Sequence, residues 1–282
     1  ISDSCPALID IDSDGDLDMF IGQQFTTDST PYNGRIIFYL NIGSSTNPIF
    51  NLVDSEFLGD DIGTNLCPSF GDIDMDGDYD LLIGTYVGDI QIYENIGDKY
   101  NFNFEFHSLI EADSDFWFSV PSLSDIDSDD DLDIIIGNIY GDLRVYTQED
   151  NFSFTLLSNS FQNINVGYYS APYFMDIDLD NDKDLIVGGS TRHRIYVNDN
   201  NNFEETDDIH IPYLGKDVKF SSGNLFVSNH FDIVSGISTG GLYILSEELC
   251  FHGDLNHDQI INISDIILLI SIILGDDIPN AH

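Results

Sequence analysis

Short apolar runs recur along the chain, and each follows an acidic segment and ends at a glycine. The runs are residues 19–21, 81–83, 134–136 and 185–187, and the glycines are Gly22, Gly84, Gly137 and Gly188. Alternating apolar and polar residues follow, as in 90–94 and 143–146, and then segments with alternating phenylalanine, as in 102–106. A proline precedes each acidic segment, at Pro6, Pro68, Pro121 and Pro172. The pattern predicts four short strands per repeat, joined by turns of Gly, Asn and Asp.

The spacing of the repeats indicates the architecture. The acidic segments begin at Asp10, Asp72, Asp125 and Asp176, which are 62, 53 and 51 residues apart. Four-stranded repeats of about 50 residues predict an all-β fold, a β-propeller of about five four-stranded blades. We place this propeller at residues 1–249, with blades near 1–66, 67–119, 120–170, 171–217 and 218–249.

The fifth repeat keeps its strands but has lost the acidic loop. Residues 231–236 match the apolar run, and residues 241–245 match the strand that follows. The loop region 221–229 contains no carboxylate, so we predict no metal there. This repeat also lacks a recognisable outermost strand. We therefore expect an incomplete ring that further blades or residues upstream of this stretch would close.

The four acidic loops carry aspartate at positions 1, 3, 5, 7 and 9. These residues are Asp10, Asp12, Asp14, Asp16 and Asp18; Asp72, Asp74, Asp76, Asp78 and Asp80; Asp125, Asp127, Asp129, Asp131 and Asp133; and Asp176, Asp178, Asp180, Asp182 and Asp184. Position 6 must turn sharply, and it holds Gly15, Gly77, Asp130 or Asn181, which tolerate positive φ. Such dense oxygen ligands suit Ca²⁺ better than Mg²⁺, which retains its waters. We expect side-chain ligands from positions 1, 3, 5 and 9, and a backbone carbonyl from position 7.

A solvated acidic loop without metal is the alternative interpretation of any one of these segments. Four loops in register, each with a fitting turn residue, favour the metal site. Carboxylates this close together also repel one another when no cation is present.

The overall charge excludes some classes of partner. The chain has 8 Lys and Arg against 51 Asp and Glu, a net charge of −43. Such a chain repels nucleic acid and anionic membrane surfaces, and residues 266–274, its longest apolar run, are too few to span a bilayer. We therefore expect no nucleic-acid partner and no membrane insertion. The chain begins at Ile1 without a leader, and we interpret that end as processed or truncated.

The three cysteines are Cys5, Cys67 and Cys250. An odd count without a CxxC motif argues against a disulfide framework or a zinc site. Cys5 and Cys67 occupy the repeat position of Val120 and Ala171, so we expect buried free thiols.

The repeated DxDxDGDxD loop, followed by a strand such as DLLIG at 80–84, resembles the FG-GAP/VCBS repeats of integrin α-subunit propellers and of bacterial surface proteins. The resemblance covers residues 1–249. It implies that calcium braces a hairpin on one face of the propeller, and that ligands bind the other face or between blades. It also implies a secreted or cell-surface location, in a bacterium, and a glycan or surface protein as ligand.

Residues 250–282 resemble one half of a dockerin, a calcium loop followed by a Leu/Ile-rich helix. The candidate ligands follow EF-hand spacing: Asp254, Asn256, Asp258, Asn262 and Asp265. Gln259 replaces the usual glycine at position 6, so we expect a weaker or distorted calcium site. The resemblance implies a cohesin-like partner, although dockerins have two such halves and this stretch has one.

Two further segments carry candidate chemistry. Arg192, His193 and Arg194 could bind an anionic sugar, but we favour a solvated hairpin tip. Phe116, Trp117 and Phe118 could stack on a sugar ring, but packing between blades is the plainer interpretation.

No GxSxG, HExxH, Walker or GxGxxG element occurs in a fitting context, so we identify no catalytic residues. Our first hypothesis is a non-catalytic, extracellular adhesion or binding module. The alternatives are a secreted polysaccharide-degrading enzyme, or its ancillary subunit, tethered through the dockerin-like tail, and a purely structural surface array.

Overall fold

The computed structural model describes residues 3–24, 33–59, 62–113, 116–207, 209, 211, 214–223, 225, 232–239 and 241–245. Within these ranges the chain forms nineteen strands in five antiparallel sheets. Four sheets have four strands each, and the fifth has three described strands. The predicted all-β propeller of five blades is confirmed.

The strands follow one another through the blades in chain order. Blade one contains β1 (Cys5–Ile9), β2 (Asp18–Gln23), β3 (Arg35–Asn41) and β4 (Phe50–Phe57), and blade two contains β5 (Cys67–Gly71), β6 (Asp80–Gly84), β7 (Ile90–Asn95) and β8 (Phe104–Ile110). Blade three contains β9 (Val120–Ser124), β10 (Asp133–Gly137), β11 (Leu143–Asp150) and β12 (Ser153–Ser158). Blade four contains β13 (Ala171–Met175), β14 (Asp184–Gly188), β15 (Arg194–Asp199) and β16 (Asn202–Thr206), and blade five contains β17 (Lys219–Gly223), β18 (Asp232–Gly236) and β19 (Leu242–Leu245).

The second strands of blades one to four are buried on both sides. In β6, Leu81, Leu82 and Ile83 are completely buried, and β10 and β14 show the same unbroken burial. A strand covered on both faces has no polar side to alternate with. This explains the continuous apolar runs of the sequence. The first strands line the axis, around a cavity of about 150 Å³.

The ring closes between blade five and blade one. The Asp3 amide donates to the carbonyl of Ser238 at 3.1 Å, and the Ser4 hydroxyl donates to the carbonyl of Gly241 at 2.7 Å. Met19 and Ile21 of blade one share a buried apolar cluster with Val234 and Ile244 of blade five. The expectation of an incomplete ring is therefore wrong, because the described blades already complete it.

A glycine at the end of each second strand sets the spacing between blades. A Cβ on Gly84 would lie far inside van der Waals distance of the Ser119 carbonyl oxygen, in the next blade. The same holds for Gly22, Gly137, Gly188 and Gly236, each against the backbone of the following blade. Gly236 meets Ser4, so the closing joint repeats the geometry of the other four.

Cys5 and Cys67 form a disulfide, so the expectation of free thiols at these positions is wrong. Their equivalent positions on β1 and β5 lie side by side around the axis, with 5.3 Å between the Cα atoms. The bond therefore joins the innermost strands of two neighbouring blades. A separation of 62 residues gives no sign of this proximity unless ring geometry is considered.

Residues 250–282 lie outside the described residues. The dockerin-like interpretation, its five ligands and the cohesin-like partner therefore stay predictions. In the part of the chain that is described, no helix has the length and apolarity needed to cross a bilayer.

Candidate metal centres

Each acidic loop joins the first strand of its blade to the second. The loops occupy residues 10–17, 72–79, 125–132 and 176–183, and the ninth aspartate opens the second strand. Because successive strands are antiparallel, all four loops lie on one face of the propeller, here called the acidic face. The other face carries the turns at 85–89 and 138–142 and the segments that lead into the next blade, and it is called the connector face.

Three of the five predicted carboxylates in each loop converge. Ligand atoms from positions 1, 3 and 9 lie within 4.8 Å of one another in every loop. The groups are Asp10, Asp12 and Asp18; Asp72, Asp74 and Asp80; Asp125, Asp127 and Asp133; and Asp176, Asp178 and Asp184. The structure does not bring positions 5 and 7 into these groups.

Backbone hydrogen bonds fold each loop around its first aspartate. In the first loop, the Asp10 carboxylate accepts the amides of Asp14 at 3.0 Å and Gly15 at 3.1 Å. The position-5 carboxylate of Asp14 accepts the amide of Asp16 at 3.1 Å, so it supports the turn. Position 6 has positive φ in all four loops, as expected: 95° at Gly15, 97° at Gly77 and 77° at Asp130 and Asn181.

Buried carboxylate oxygens without a hydrogen-bond donor among the described residues make these loops candidate cation sites. In every loop, one oxygen of the position-7 aspartate is buried with no donor among the residues that the structure describes, at Asp16, Asp78, Asp131 and Asp182. Oxygens of Asp12 and Asp72 are in the same condition. A buried anionic oxygen is costly unless something positive compensates it. The donor set is all oxygen, as Ca²⁺ prefers, so these residues fit that ion.

The pKa values of the loop aspartates are raised for the same reason. Burial raises the pKa of Asp18 and of Asp80 to about 7, although backbone amides partly oppose it. Burial and the neighbouring carboxylates raise the pKa of Asp16 and of Asp78 to about 6. Several negative carboxylates held close together in a partly desolvated loop repel one another, and this favours the binding of either protons or a cation.

The ninth aspartate also has a structural role. Asp80 accepts the amide of Ile73 at 2.9 Å and the amide of Asn95 at 2.9 Å, and so ties the loop to the third strand. Asp18, Asp133 and Asp184 make the same pair of bonds. Asp232 of blade five accepts the amide of Leu225 at 2.7 Å.

Sequence reasoning missed Asp232, because blade five was judged by its lost ligands. The signal was its place at the start of the apolar run. This blade retains the structural carboxylate although the other loop carboxylates have gone.

Sequence reasoning also missed the amide residues that end the third strands. The Asn95 side-chain oxygen accepts the amides of Gly97 at 3.1 Å and Asn103 at 2.8 Å, which closes the next hairpin. Asn41 does the same in blade one, with Gly43 and Ile49. These residues position the backbone that the ninth aspartate binds.

The other candidate segments lie in two settings. Phe116 is buried beneath the guanidinium of Arg144, 4.2 Å from the ring centroid, as packing between blades predicts. Trp117 is 36% exposed on the connector face and lies edge-on to Tyr86. Arg192 and Arg194 both pair with Glu205 on β16, which accounts for them within their own blade.

Comparison with known proteins supports the repeat. Residues 125–187 match the family described as FG-GAP-like repeat, in agreement with that part of the resemblance drawn from the acidic loops. No curated protein sequence matches the chain.

Among solved structures, one similar chain is a lectin from Agrocybe aegerita, solved for its specific recognition of non-reducing terminal N-acetylglucosamine. The identity is 16% and the TM-score 0.42, over 86% of this chain and 63% of the lectin. The chain thus spans less than two thirds of that lectin's length.

Proposed function

We propose that this protein is a calcium-stabilised, non-catalytic binding module that works outside the cytoplasm and recognises glycans. The observation that carries the calcium part is the repeated loop, with three convergent carboxylates and a buried, donor-free oxygen at position 7. A cation there would offset part of the negative charge of the loop and hold the first and second strands of the blade together.

The disulfide supports a location outside the cytoplasm. Disulfides persist in oxidising compartments and are rare where thiols are kept reduced. Extracellular calcium is also abundant enough to fill sites of modest affinity. Calcium at one hundred times the dissociation constant adds about 2.7 kcal/mol of stability per site.

Aromatic side chains on the connector face support glycan recognition. Tyr86, Trp117, Tyr140 and Tyr168 are 39%, 36%, 48% and 61% exposed there. Aromatic rings offer a flat apolar surface with polar edges, which suits the apolar face of a sugar. They stand away from the acidic loops, so a ligand and calcium would not compete for the same residues.

Calcium removal tests the first part. EDTA should lower the melting temperature by at least about 10 °C, and added Ca²⁺ should restore it better than Mg²⁺ does. Calorimetric titration should give four ions bound by the four loops, plus any bound by the tail. The variant Asp125→Asn/Asp127→Asn, with one loop disabled, should bind one ion fewer. An unchanged melting temperature in EDTA would exclude a stabilising role for calcium.

A glycan array tests the second part. The protein should bind a restricted set of glycans in Ca²⁺ and lose that binding when EDTA loosens the blades. Incubation with the bound glycans should release no shorter products. Cleavage would instead support the polysaccharide-degrading alternative, and an array without binding would contradict glycan recognition.

A further inference from the structure

Five residues with left-handed backbone form a ring on the connector face. Each stands two positions before the first strand of its blade, and none is glycine. They are Asp3, Asn65, Phe118, Tyr169 and Asp217, with φ of 56°, 55°, 60°, 57° and 54°. We call them the mouth ring, because the strands that follow them line the central channel.

Backbone hydrogen bonds between blades hold four of the five ring residues in place. The Phe118 amide donates to the carbonyl of Tyr86 at 3.0 Å, and the Tyr169 amide donates to the carbonyl of Ile139 at 3.1 Å. Asp3 and Asn65 make the same type of bond, to Ser238 and Gln24. These four bonds join main-chain groups, so they do not dictate the side chains of the four residues.

The side chains at these positions are therefore informative. Asn and Asp adopt the left-handed region at modest cost, whereas a bulky residue loses about 1–2 kcal/mol there. Phe118 and Tyr169 bear that cost although Asn, as at position 65, would relieve it. The backbone bonds do not require a bulky residue at either position. Backbone strain that is retained there indicates a role for the side chain itself.

The mouth-ring side chains divide into an aromatic and a polar half. Phe118 and Tyr169 meet edge to face, with 5.3 Å between centroids, and Phe118 also contacts the exposed Tyr86 at 4.7 Å. On the polar half, Asn65 donates to the Asp3 carboxylate at 3.0 Å, and Asp3 pairs with Lys219.

The two halves meet at Asp217. A cleft of about 10 Å³, room for one water-sized group, is lined by Phe118, Tyr169, Asp217 and Lys219 among others. One carboxylate oxygen of Asp217 is buried without a hydrogen-bond donor among the described residues. Burial also raises the pKa of Asp217, although Lys219 opposes this. The cleft thus holds an acceptor that lacks a donor, beside two aromatic rings.

We propose that the mouth ring is the glycan-binding site, and that it takes one sugar ring per protein. The apolar face of the sugar lies on Phe118 and Tyr86, and one hydroxyl enters the cleft and donates to Asp217. This inference rests on the proposed glycan recognition. It adds that the five blades build a single asymmetric site, because their ring residues differ, instead of one equivalent site per blade.

The test uses the whole chain in Ca²⁺ and a panel of neutral oligosaccharides that differ in their terminal sugar. Calorimetry on the tightest binder should give one ligand per chain. Asp217→Asn keeps size and tolerates the backbone, but it removes the charged acceptor, and it should weaken binding by about tenfold or more. Phe118→Asn copies the residue of blade two, Asn65, and should weaken binding comparably.

Tyr100→Asn is the matched control. Tyr100 is a 59% exposed aromatic residue near the turn between β7 and β8, on the acidic face. This variant should bind like the parent. Melting temperatures should show that the ring variants are folded, and Asp217→Asn decides the matter if Phe118→Asn does not fold.

The outcomes separate the two claims. In one outcome the parent binds a glycan that neither ring variant binds more weakly, and in another it binds several ligands per chain. Either result would place the site elsewhere and leave glycan recognition intact. A parent that binds no member of the panel would contradict glycan recognition and the mouth-ring site together.

Discussion

The ninth aspartate of each acidic loop lies in a candidate metal group and also binds the backbone, and substitution can separate these two features. Asp80 lies within the convergent group with Asp72 and Asp74, yet it also accepts two backbone amides. Asp74 belongs to the same group, but among the described residues it accepts no backbone amide from the third strand. Stability with and without calcium should therefore distinguish the two residues.

We predict that Asp80→Asn destabilises the protein in both Ca²⁺ and EDTA, by about 2 kcal/mol, because an amide cannot accept both backbone bonds. Asp74→Asn, the matched control, should destabilise it only in Ca²⁺. Urea unfolding of both variants in the two buffers measures this difference. Equal behaviour of the two variants in EDTA would show that the ninth aspartate acts through metal alone.

Asp217 should make stability depend on pH. Its folded-state pKa is raised above the usual 3.8, so its protonated form favours the fold, and this contribution is lost as pH rises through the folded pKa. Asp3, Lys216, Lys219 and Tyr169 share its surroundings. Asp217→Asn should therefore gain stability over the parent as pH rises from about 4 to 8. Thermal unfolding of both proteins across this range measures the gain, and a constant difference would contradict it.

At the scale of the element, the glycines that end the second strands leave no room for a side chain. Gly84→Ala should destabilise the protein by about 2–3 kcal/mol, because the added Cβ meets the backbone carbonyl of Ser119, which a rotamer change cannot move. Ser153→Ala, a small change on an exposed strand, is the control and should be nearly neutral. Urea unfolding compares them. A neutral Gly84→Ala would mean that the blades separate easily.

The elements were predictable from sequence where burial imposed a pattern. Continuous apolar runs located the second strands because those strands are covered on both sides, and the aspartate spacing located the loops. The closed ring was not predictable, because the bonds of Asp3 and Ser4 to blade five come from loops without a distinctive composition.

The mouth ring was equally hidden from sequence analysis. Its five positions hold Asp, Asn, Phe, Tyr and Asp, so no shared residue type marks them. A left-handed backbone conformation is hard to predict from the sequence when the residue is not glycine. The only signal was position, two residues before each first strand, and it became visible only once the strands were known.

For the whole molecule, the disulfide is a covalent tie across the joint between blades one and two. It encloses a loop of 62 residues, and restricting such a loop in the unfolded chain stabilises the fold by about 4 kcal/mol. Cys5→Ala/Cys67→Val, which uses the residues found in blades four and three, should lower the melting temperature by on the order of 10 °C.

A reducing agent supplies the control for this prediction. Dithiothreitol should lower the melting temperature of the parent by a similar amount and leave the double variant unchanged. A parent that melts identically with and without the reducing agent would show that this bond contributes little to stability.

The main-chain bonds that hold the mouth ring have a practical consequence for protein engineering. Because main-chain bonds hold residues 3, 65, 118 and 169, these four positions can be randomised together as a display library without redesigning the scaffold. Selected clones should be rich in Asn, Asp, Gly and aromatic residues and poor in Val, Ile and Thr, whose branched Cβ resists left-handed backbone. A library randomised at these positions would allow proteins with new binding specificities to be obtained by selection.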